Sequence, residues 1–383
     1  MENNITKKDL NSVVDFLNDG VPILTQSTKV REFEEKWSNW LGVKYSVFVN
    51  SGSSANILTM SLLKEILGSG EIIIPPLAWV SDVVSVIKAG FRPVFADINM
   101  KNLALDTDEV LKKININTKA VFLTHILGFN GLTTKLLTEL KERKIILIED
   151  VCESYGATFN GVKLGTFGLI SNFSFYYAHH LSTIEGGMIS TNDYNVFQMA
   201  RVFRSHGMVR EASDDNFKND YIERYRDLYA DFIFAYPSSN YRNTEINAVI
   251  GLSQIERIDD NNKKRIKNFK IFLNNLDNKK YYTDFDIEGS CNYAFVLILK
   301  KPDMDFCNKV MLALKNANVE FRRGTSGGGN QLRQPYLKNI IPNDYYKIFT
   351  ITEYIHFFGF YIGNYPDLEE NKILKLCNLL NNI

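Results

Sequence analysis

Residues 45–56 read YSVFVNSGSSAN. An apolar, β-branched run stops abruptly in small hydroxylated residues, and an apolar helical pattern follows in SANILTMSLLKEIL. These signals predict a strand, a tight turn and a helix. The same alternation recurs in EIIIPPLAW (71–79), RPVFADI (92–98), AVFLTHI (120–126) and IILIED (145–150), separated by segments of helical period such as SDVVSVIKAG. Near-continuous apolar strands divided by helices predict an α/β architecture with a mainly parallel sheet covered on both faces. Two closely spaced runs, SNFSFYY (171–177) and GGMIST (186–191), are candidates for paired strands that complete the sheet.

Beyond residue 191 the pattern changes. Residues 205–240 are charged, aromatic and without clear period, which predicts a long functional loop. Residues 243–275 read as one long helix or two consecutive ones. From 280 onward, short strands such as YAFVLIL (293–299) and helices suit a smaller α+β domain. The expected division is an N-terminal helix over 1–20, a large domain over 21–255 and a small domain over 256–383, reasonable for 383 residues.

Composition narrows the function. Lys+Arg and Asp+Glu both number 44, a formal charge of zero, which argues against a nucleic-acid partner. Cys152, Cys291, Cys307 and Cys377 are dispersed, so neither a disulfide scaffold, a zinc ribbon nor an iron–sulfur cluster is expected. MENNITKKDL has no apolar run after its charges, and no stretch approaches the ~20 apolar residues of a bilayer span. The expectation is a cytoplasmic protein without a membrane partner.

In an open parallel sheet, ligands gather beyond the carboxyl ends of the strands. NSGSSAN lies at one such end. Its small residues and the following helix N-terminus could receive an anion, although Ser51 could equally be an ordinary helix cap. Asp150 closes IILIED, where a carboxylate could hold a protonated ring nitrogen or cap a helix. Trp79 could stack on a planar ring or simply fill an interface. His179 and His180 follow Ser174 between the two late strands. Neighbours on an extended segment point in opposite directions, so the pair does not suit a shared metal, and no metal site is expected. At most one of them faces a crevice as acid or base.

Taken together, NSGSSAN, PPLAWVSDVVSV, LTHILGFNG, EDVCESYGA, LGTFG, FSFYYAHHLSTIEGG and NYRNTEINAVIGLSQIERID resemble, in order, the sugar aminotransferase family of pyridoxal-phosphate enzymes. The resemblance covers nearly the whole chain. It implies the aspartate-aminotransferase fold (fold type I), with a mainly parallel, mixed seven-stranded sheet and a smaller C-terminal domain. By the same resemblance, Asp150 would pair with the cofactor's pyridine nitrogen, Trp79 would cover its ring, and Gly52, Ser53 and Ser174 would hold its phosphate. Asn240 would reach the phosphate of a neighbouring subunit, which implies a homodimer with shared sites. Glu153 and His125 match crevice-facing positions. Arg210, Arg242 and Arg323 are candidates for the glutamate or sugar-nucleotide anions, with the Gly327–Gly329 run and Arg333 beside a substrate-approach loop.

One position departs from the family pattern. Five residues after Ser174, where family aminotransferases carry the lysine that binds the cofactor covalently, stands His179. No lysine occurs between Lys163 and Lys218, so a register slip does not supply one. Histidine has no second proton to lose in forming that bond, yet it moves protons near neutral pH. This substitution is similar to the branch that removes a sugar hydroxyl instead of installing an amine. The implied reaction is C3 dehydration of a nucleotide-linked 4-keto-6-deoxy sugar, GDP-linked by resemblance, with pyridoxamine phosphate as working cofactor, glutamate as amino donor and ammonia released. His179 would be the acid–base residue and His180 structural. Two other readings stay open: an aminotransferase using another lysine, and a silent binding protein that kept the fold.

Overall fold

The computed structural model describes residues 4–383, so positions 1–3 of the helix expected over 1–20 lie outside the described residues. α1 runs Lys7–Asn18, opened by a capping box in which Thr6 and Asp9 exchange hydrogen bonds. α2 spans Thr28–Leu41 and lacks a side-chain cap of its own. Instead the buried Glu245 carboxylate accepts from the backbone N–H groups of Ser27, Lys29 and Val30 at 2.8, 2.8 and 2.9 Å. Unsatisfied helix donors are thereby tied to a segment some two hundred residues distant in sequence.

Strands β1 (Tyr45–Val49), β2 (Glu71–Ile74), β3 (Arg92–Phe95), β4 (Thr118–Thr124) and β5 (Ile146–Asp150) alternate with helices, including α3 (Gly52–Leu67) and α4 (Val80–Lys88). A short hairpin, β6 (Thr158–Phe159) and β7 (Val162–Lys163), precedes β8 (Ile170–Ser174) and β9 (Gly187–Thr191). The main sheet has seven strands in the order β1-β9-β8-β5-β4-β2-β3. β9 pairs antiparallel with β1 and β8, and the remaining pairs are parallel. This is the mixed, mainly parallel sheet expected from the sequence, with 171–177 and 186–191 supplying its paired strands.

Both faces of the sheet are dry. Along β4, Val121 and Leu123 join the cluster under α2 and helix Glu245–Ile255, while Ala120 and Phe122 join the cluster under α3, α4 and helix Tyr194–Arg204. Because β9 alone is reversed, the ends of β1, β2, β4, β5 and β8 and the start of β9 share one edge. A second sheet, ordered β10-β12-β11 from β10 (Ala294–Ile298), β11 (Phe321–Arg323) and β12 (Gly359–Gly363), forms a core with helices Ile258–Asn275, Met304–Asn316 and Glu370–Asn381 that also takes in Leu77, Ile98, Ile126 and Phe129.

Region 205–240 differs from expectation. It contains a helix, Asp215–Arg224, capped by Asp214 and burying none of its residues. Its apolar residues, Phe217, Tyr221 and Ile222, make only a short patch among charged ones, with the Phe217 and Tyr221 rings 5.1 Å apart. Of the alternatives for 243–275, the structure takes two helices, Glu245–Ile255 and Ile258–Asn275. No helix among the described residues is long and apolar enough to cross a membrane.

Candidate active site

At the shared edge, the chain ends of β1 and β8 touch. A Cβ on Gly52 would stand 2.5 Å from Ser174 Cβ and 2.9 Å from its Oγ, and one on Gly187 would stand 2.3 Å from the Ser51 carbonyl oxygen. Only glycine permits both approaches. Ser51 caps α3, its Oγ accepting from Ser54 N–H at 3.0 Å, while Ser53 remains exposed in the first turn. The 16-residue α3 therefore presents its positive end beside the Ser174 hydroxyl. Cap and anion cradle are the same structure, so the two readings of NSGSSAN do not exclude each other. The NYR segment lies alongside: Asn50 N–H donates to Tyr241 O at 2.9 Å. Asn240 is exposed and Arg242 half-buried there, and Asn240 Oδ1 accepts from Arg242 N–H at 3.1 Å and from its Nε at 3.2 Å.

Below this cradle sits Asp150, 4% exposed. Its Oδ1 accepts from Cys152 N–H and its Oδ2 from Asn56 Nδ2, both at 2.9 Å. Asn56 is held in turn by Asn172, whose Nδ2 donates to Asn56 Oδ1 at 2.9 Å, and Thr59 Oγ1 donates to Asn172 Oδ1 at 2.8 Å. That relay fixes the amide of Asn56 so that its nitrogen faces carboxylates. One of them is Asp82, which accepts from Asn56 Nδ2 at 2.9 Å and from Thr124 Oγ1 at 2.7 Å. Trp79, immediately before α4, is 53% exposed. The glycine loop packs on the same turn: Gln331 N–H donates to Pro76 O at 2.9 Å, and a Cβ on Gly327 (φ 61°) would stand 2.2 Å from Ala78 O.

His179 occupies a turn beyond β8, its N–H donating to Tyr176 O at 3.0 Å. The half-buried ring lies between Tyr176 and Tyr293, with centroid separations of 6.4 and 5.9 Å. Its Nδ1 is buried without a hydrogen-bond partner among the described residues. Burial, and then the Arg265 charge, push the imidazole down to about 4, leaving it neutral at physiological pH and able to accept a proton. Arg265 itself is buried, with one guanidinium nitrogen donating to the Tyr293 and Asn364 carbonyls. His180 points away, 2% exposed, with Nε2 2.9 Å from Cys291 O. In the same loop Ile184 has φ 70°, a left-handed conformation that a β-branched residue adopts only when its surroundings impose it.

His125 does not face the crevice. It is fully buried, with Nδ1 accepting from Gly131 N–H at 3.1 Å and Nε2 3.2 Å from Glu149. Glu149 also accepts from the N–H groups of Gly165, Phe167 and Gly168 at 2.8, 2.9 and 2.7 Å, so the pair supports the LGTFG loop. Glu153, 9% exposed, accepts from Leu127 N–H at 2.8 Å.

The arginines are spread out. Arg210 lies in a separate turn with its guanidinium 5.2 Å from the Phe232 ring centre. Arg323 ends β11 and donates to Phe357 O at 3.2 Å. Arg333 forms a two-point ion pair with Glu353, 2.8 Å from Nε and 2.5 Å from Nη2, which anchors the glycine loop. Sequence reasoning missed Asp82, Thr124, Asn172, Arg265 and Tyr293. For Asp82 a signal existed: it lies four residues before Val86, on the apolar face of its helix, and both are buried. Among the described residues no group of three or more His, Cys, Asp or Glu side chains could hold a metal ion.

The model of the DegT/DnrJ/EryC1/StrS aminotransferase family matches residues 3–380. The chain belongs to that family. Relatives within it include the GDP-4-keto-6-deoxy-D-mannose 3-dehydratase of Escherichia coli O55:H7, 30% identical over 90% of this chain and 89% of that one. The enzyme of the same name from Yersinia pseudotuberculosis is 30% identical over 98% of this chain and 95% of its own. A crystal structure of GDP-4-keto-6-deoxymannose-3-dehydratase with a trapped PLP-glutamate geminal diamine superimposes with a TM-score of 0.88 at 28% identity, covering 99% of this chain and 98% of that one. The fold is that of the type I pyridoxal-phosphate aminotransferases.

Proposed function

We propose that this protein is a pyridoxamine-phosphate-dependent 3-dehydratase acting on a nucleotide-linked 4-keto-6-deoxy sugar, GDP-linked, in surface-polysaccharide biosynthesis. Glutamate is the amino donor, and the working form is a cytoplasmic homodimer with shared sites. The division into 1–20, 21–255 and 256–383 belongs to the same proposal. The observation that carries the reading is His179, a neutral imidazole with an unpartnered nitrogen at the position of the family lysine. The dehydratase named in the nearby relatives and the glutamate adduct named in one structure support it.

The residues present fit the cofactor. Gly52 against Ser174 leaves an anion cradle that a Cβ would fill, and Asp150 offers a buried carboxylate. When bound, pyridoxamine phosphate supplies an amine for the C4 ketone and a ring that accepts electrons. Gly52, Ser53, Ser174 and the α3 N-terminus hold its phosphate, Trp79 covers the ring, and Asp150 holds the ring nitrogen, with Glu153 beside them. Asn240 reaches a partner subunit's phosphate. Arg210, Arg242 and Arg323 take the anionic groups of substrate and glutamate. His179 takes a proton beside the reacting carbons and returns it to the departing C3 hydroxyl, which leaves as water. Over a cycle the C3–O bond is replaced by C3–H. The two electrons come from glutamate, which becomes 2-oxoglutarate and yields its nitrogen as ammonia.

The aminotransferase alternative requires another lysine. Lys163 does not suit it, because its ammonium donates to Trp40 O and lies 4.4 Å from the Trp40 ring centre. Trp40 precedes β1, at the sheet edge opposite Asp150. The test is stoichiometry: ammonia and 2-oxoglutarate should appear in equal amounts, only with both sugar and glutamate present. 2-Oxoglutarate without ammonia would favour the aminotransferase.

A further inference from the structure

Asp82 is fully buried, and none of the proposed catalytic steps uses it. Its carboxyl lies beside that of Asp150: one nitrogen of Asn56 bridges the two, 2.9 Å from each. Among the described residues no Lys, Arg or His forms an ion pair with either carboxyl. The groups facing Asp82 are the Asp150 and Glu153 carboxyls, the Cys152 thiol and the Tyr336 phenol, with Asn56, Ser81 and Thr124 as neutral polar neighbours. All the ionisable members are acidic, so no ionisable group nearby offsets a second negative charge.

Two buried carboxyl groups that share one neutral donor and no cation do not both ionise. The opposing influence is the N-terminus of α4, where Asp82 lies in the first turn and feels about half a positive charge. A full charge on Asp150, held to the same amide nitrogen, outweighs it. Burial first, and then the Asp150 charge, raise the Asp82 carboxyl well above the usual carboxylate range. Each carboxyl receives two donors, Asp82 from Asn56 and the Thr124 hydroxyl, Asp150 from Asn56 and the Cys152 backbone N–H; Asp82 is the more deeply buried, 0% exposed against 4%, which favours the neutral form there and the charge on Asp150.

We propose that Asp82 is a positioning residue for the ring-nitrogen contact: it remains a neutral carboxylic acid and donates its proton to Asp150, leaving Asp150 the single charged acceptor. This rests on the reading that Asp150 faces a cofactor ring nitrogen. A hydrogen bond donated to the Asp150 carboxylate makes it less basic, so the proton between it and the ring stays on the ring. The electron-accepting form of the ring is the one favoured.

The test has two arms. Infrared spectra of the cofactor-free protein at neutral pH should show a protonated carboxylic acid band that Asp82→Asn removes; a missing band, or one unchanged by the substitution, overturns the proposal. In the second arm, pyridoxamine phosphate labelled with ¹⁵N in the ring is bound to wild type, Asp82→Asn and Asp82→Leu. The ring nitrogen should be protonated in the first two and shifted toward the unprotonated value in Asp82→Leu, which keeps bulk but no donor. Identical shifts in all three overturn the proposal. If Asp82→Leu does not fold, the infrared arm decides alone. Failure of wild type to hold the labelled cofactor would overturn the functional reading instead, and the infrared arm separates the two.

Discussion

Replacing His179 by Asn should change how stability responds to acid. In the folded protein the imidazole is held at about 4, by burial and then by Arg265; in the unfolded chain it titrates near 6.5. A depressed folded value means that unfolding takes up a proton at acidic pH. Stability is therefore complete above about pH 6.5 and is lost as pH falls toward about 4. At about pH 5 the cost for this one group is roughly 1.5 units at 1.36 kcal/mol each, about 2 kcal/mol, an upper value because the residue is half-buried. The assay is urea unfolding of cofactor-free wild type and His179→Asn at about pH 7.5 and about pH 5, at one protein concentration. His180 is also depressed by burial and by Arg265, but it is present in both proteins and cancels in the comparison. Wild type should lose up to about 2 kcal/mol more than His179→Asn between the two pH values. Equal losses, or a greater loss in the variant, would refute a neutral His179 in the folded state.

Other outcomes follow from the same geometry. His179→Asn should lower dehydration by about 10²-fold or more while pyridoxamine phosphate stays bound, read as turnover against cofactor absorbance. Gly52→Ala places a methyl 2.5 Å from Ser174 Cβ, and should weaken cofactor binding and cost about 1–3 kcal/mol in denaturant unfolding. Lys163→Met should leave turnover within about twofold of wild type, and borohydride treatment of the cofactor-loaded protein should attach no cofactor to the chain by mass spectrometry; covalent attachment would revive the lysine-dependent alternative.

The sheet was legible because both its faces are buried. Strands such as EIII at 71–74 and ILIED at 146–150 are almost wholly buried and read as continuous apolar runs. The site corner was legible where a residue type carries its own reason, as with glycine at Gly52 or a carboxylate at the end of β5. Helix Asp215–Arg224 was not, because it buries nothing and offers only a short apolar patch, Phe217, Tyr221 and Ile222, among charged residues. His125 was placed at the crevice by resemblance alone; its buried contact with Glu149, on a different strand, leaves no mark in the sequence. Asp82 and Asn172 escaped notice for the same reason, since their meaning lies in contacts with Asn56 and Asp150 that only the folded sheet assembles. His179 was found by spacing from Ser174, but its depressed titration depends on Arg265 from a distant helix.

The most direct test of the account is the NMR spectrum of the sugar after incubation with a GDP-linked 4-keto-6-deoxy sugar, pyridoxal phosphate and glutamate. The account predicts a methylene at C3, a retained C4 ketone and ammonia released in step. A stable 4-amino sugar with its C3 hydroxyl intact would contradict it.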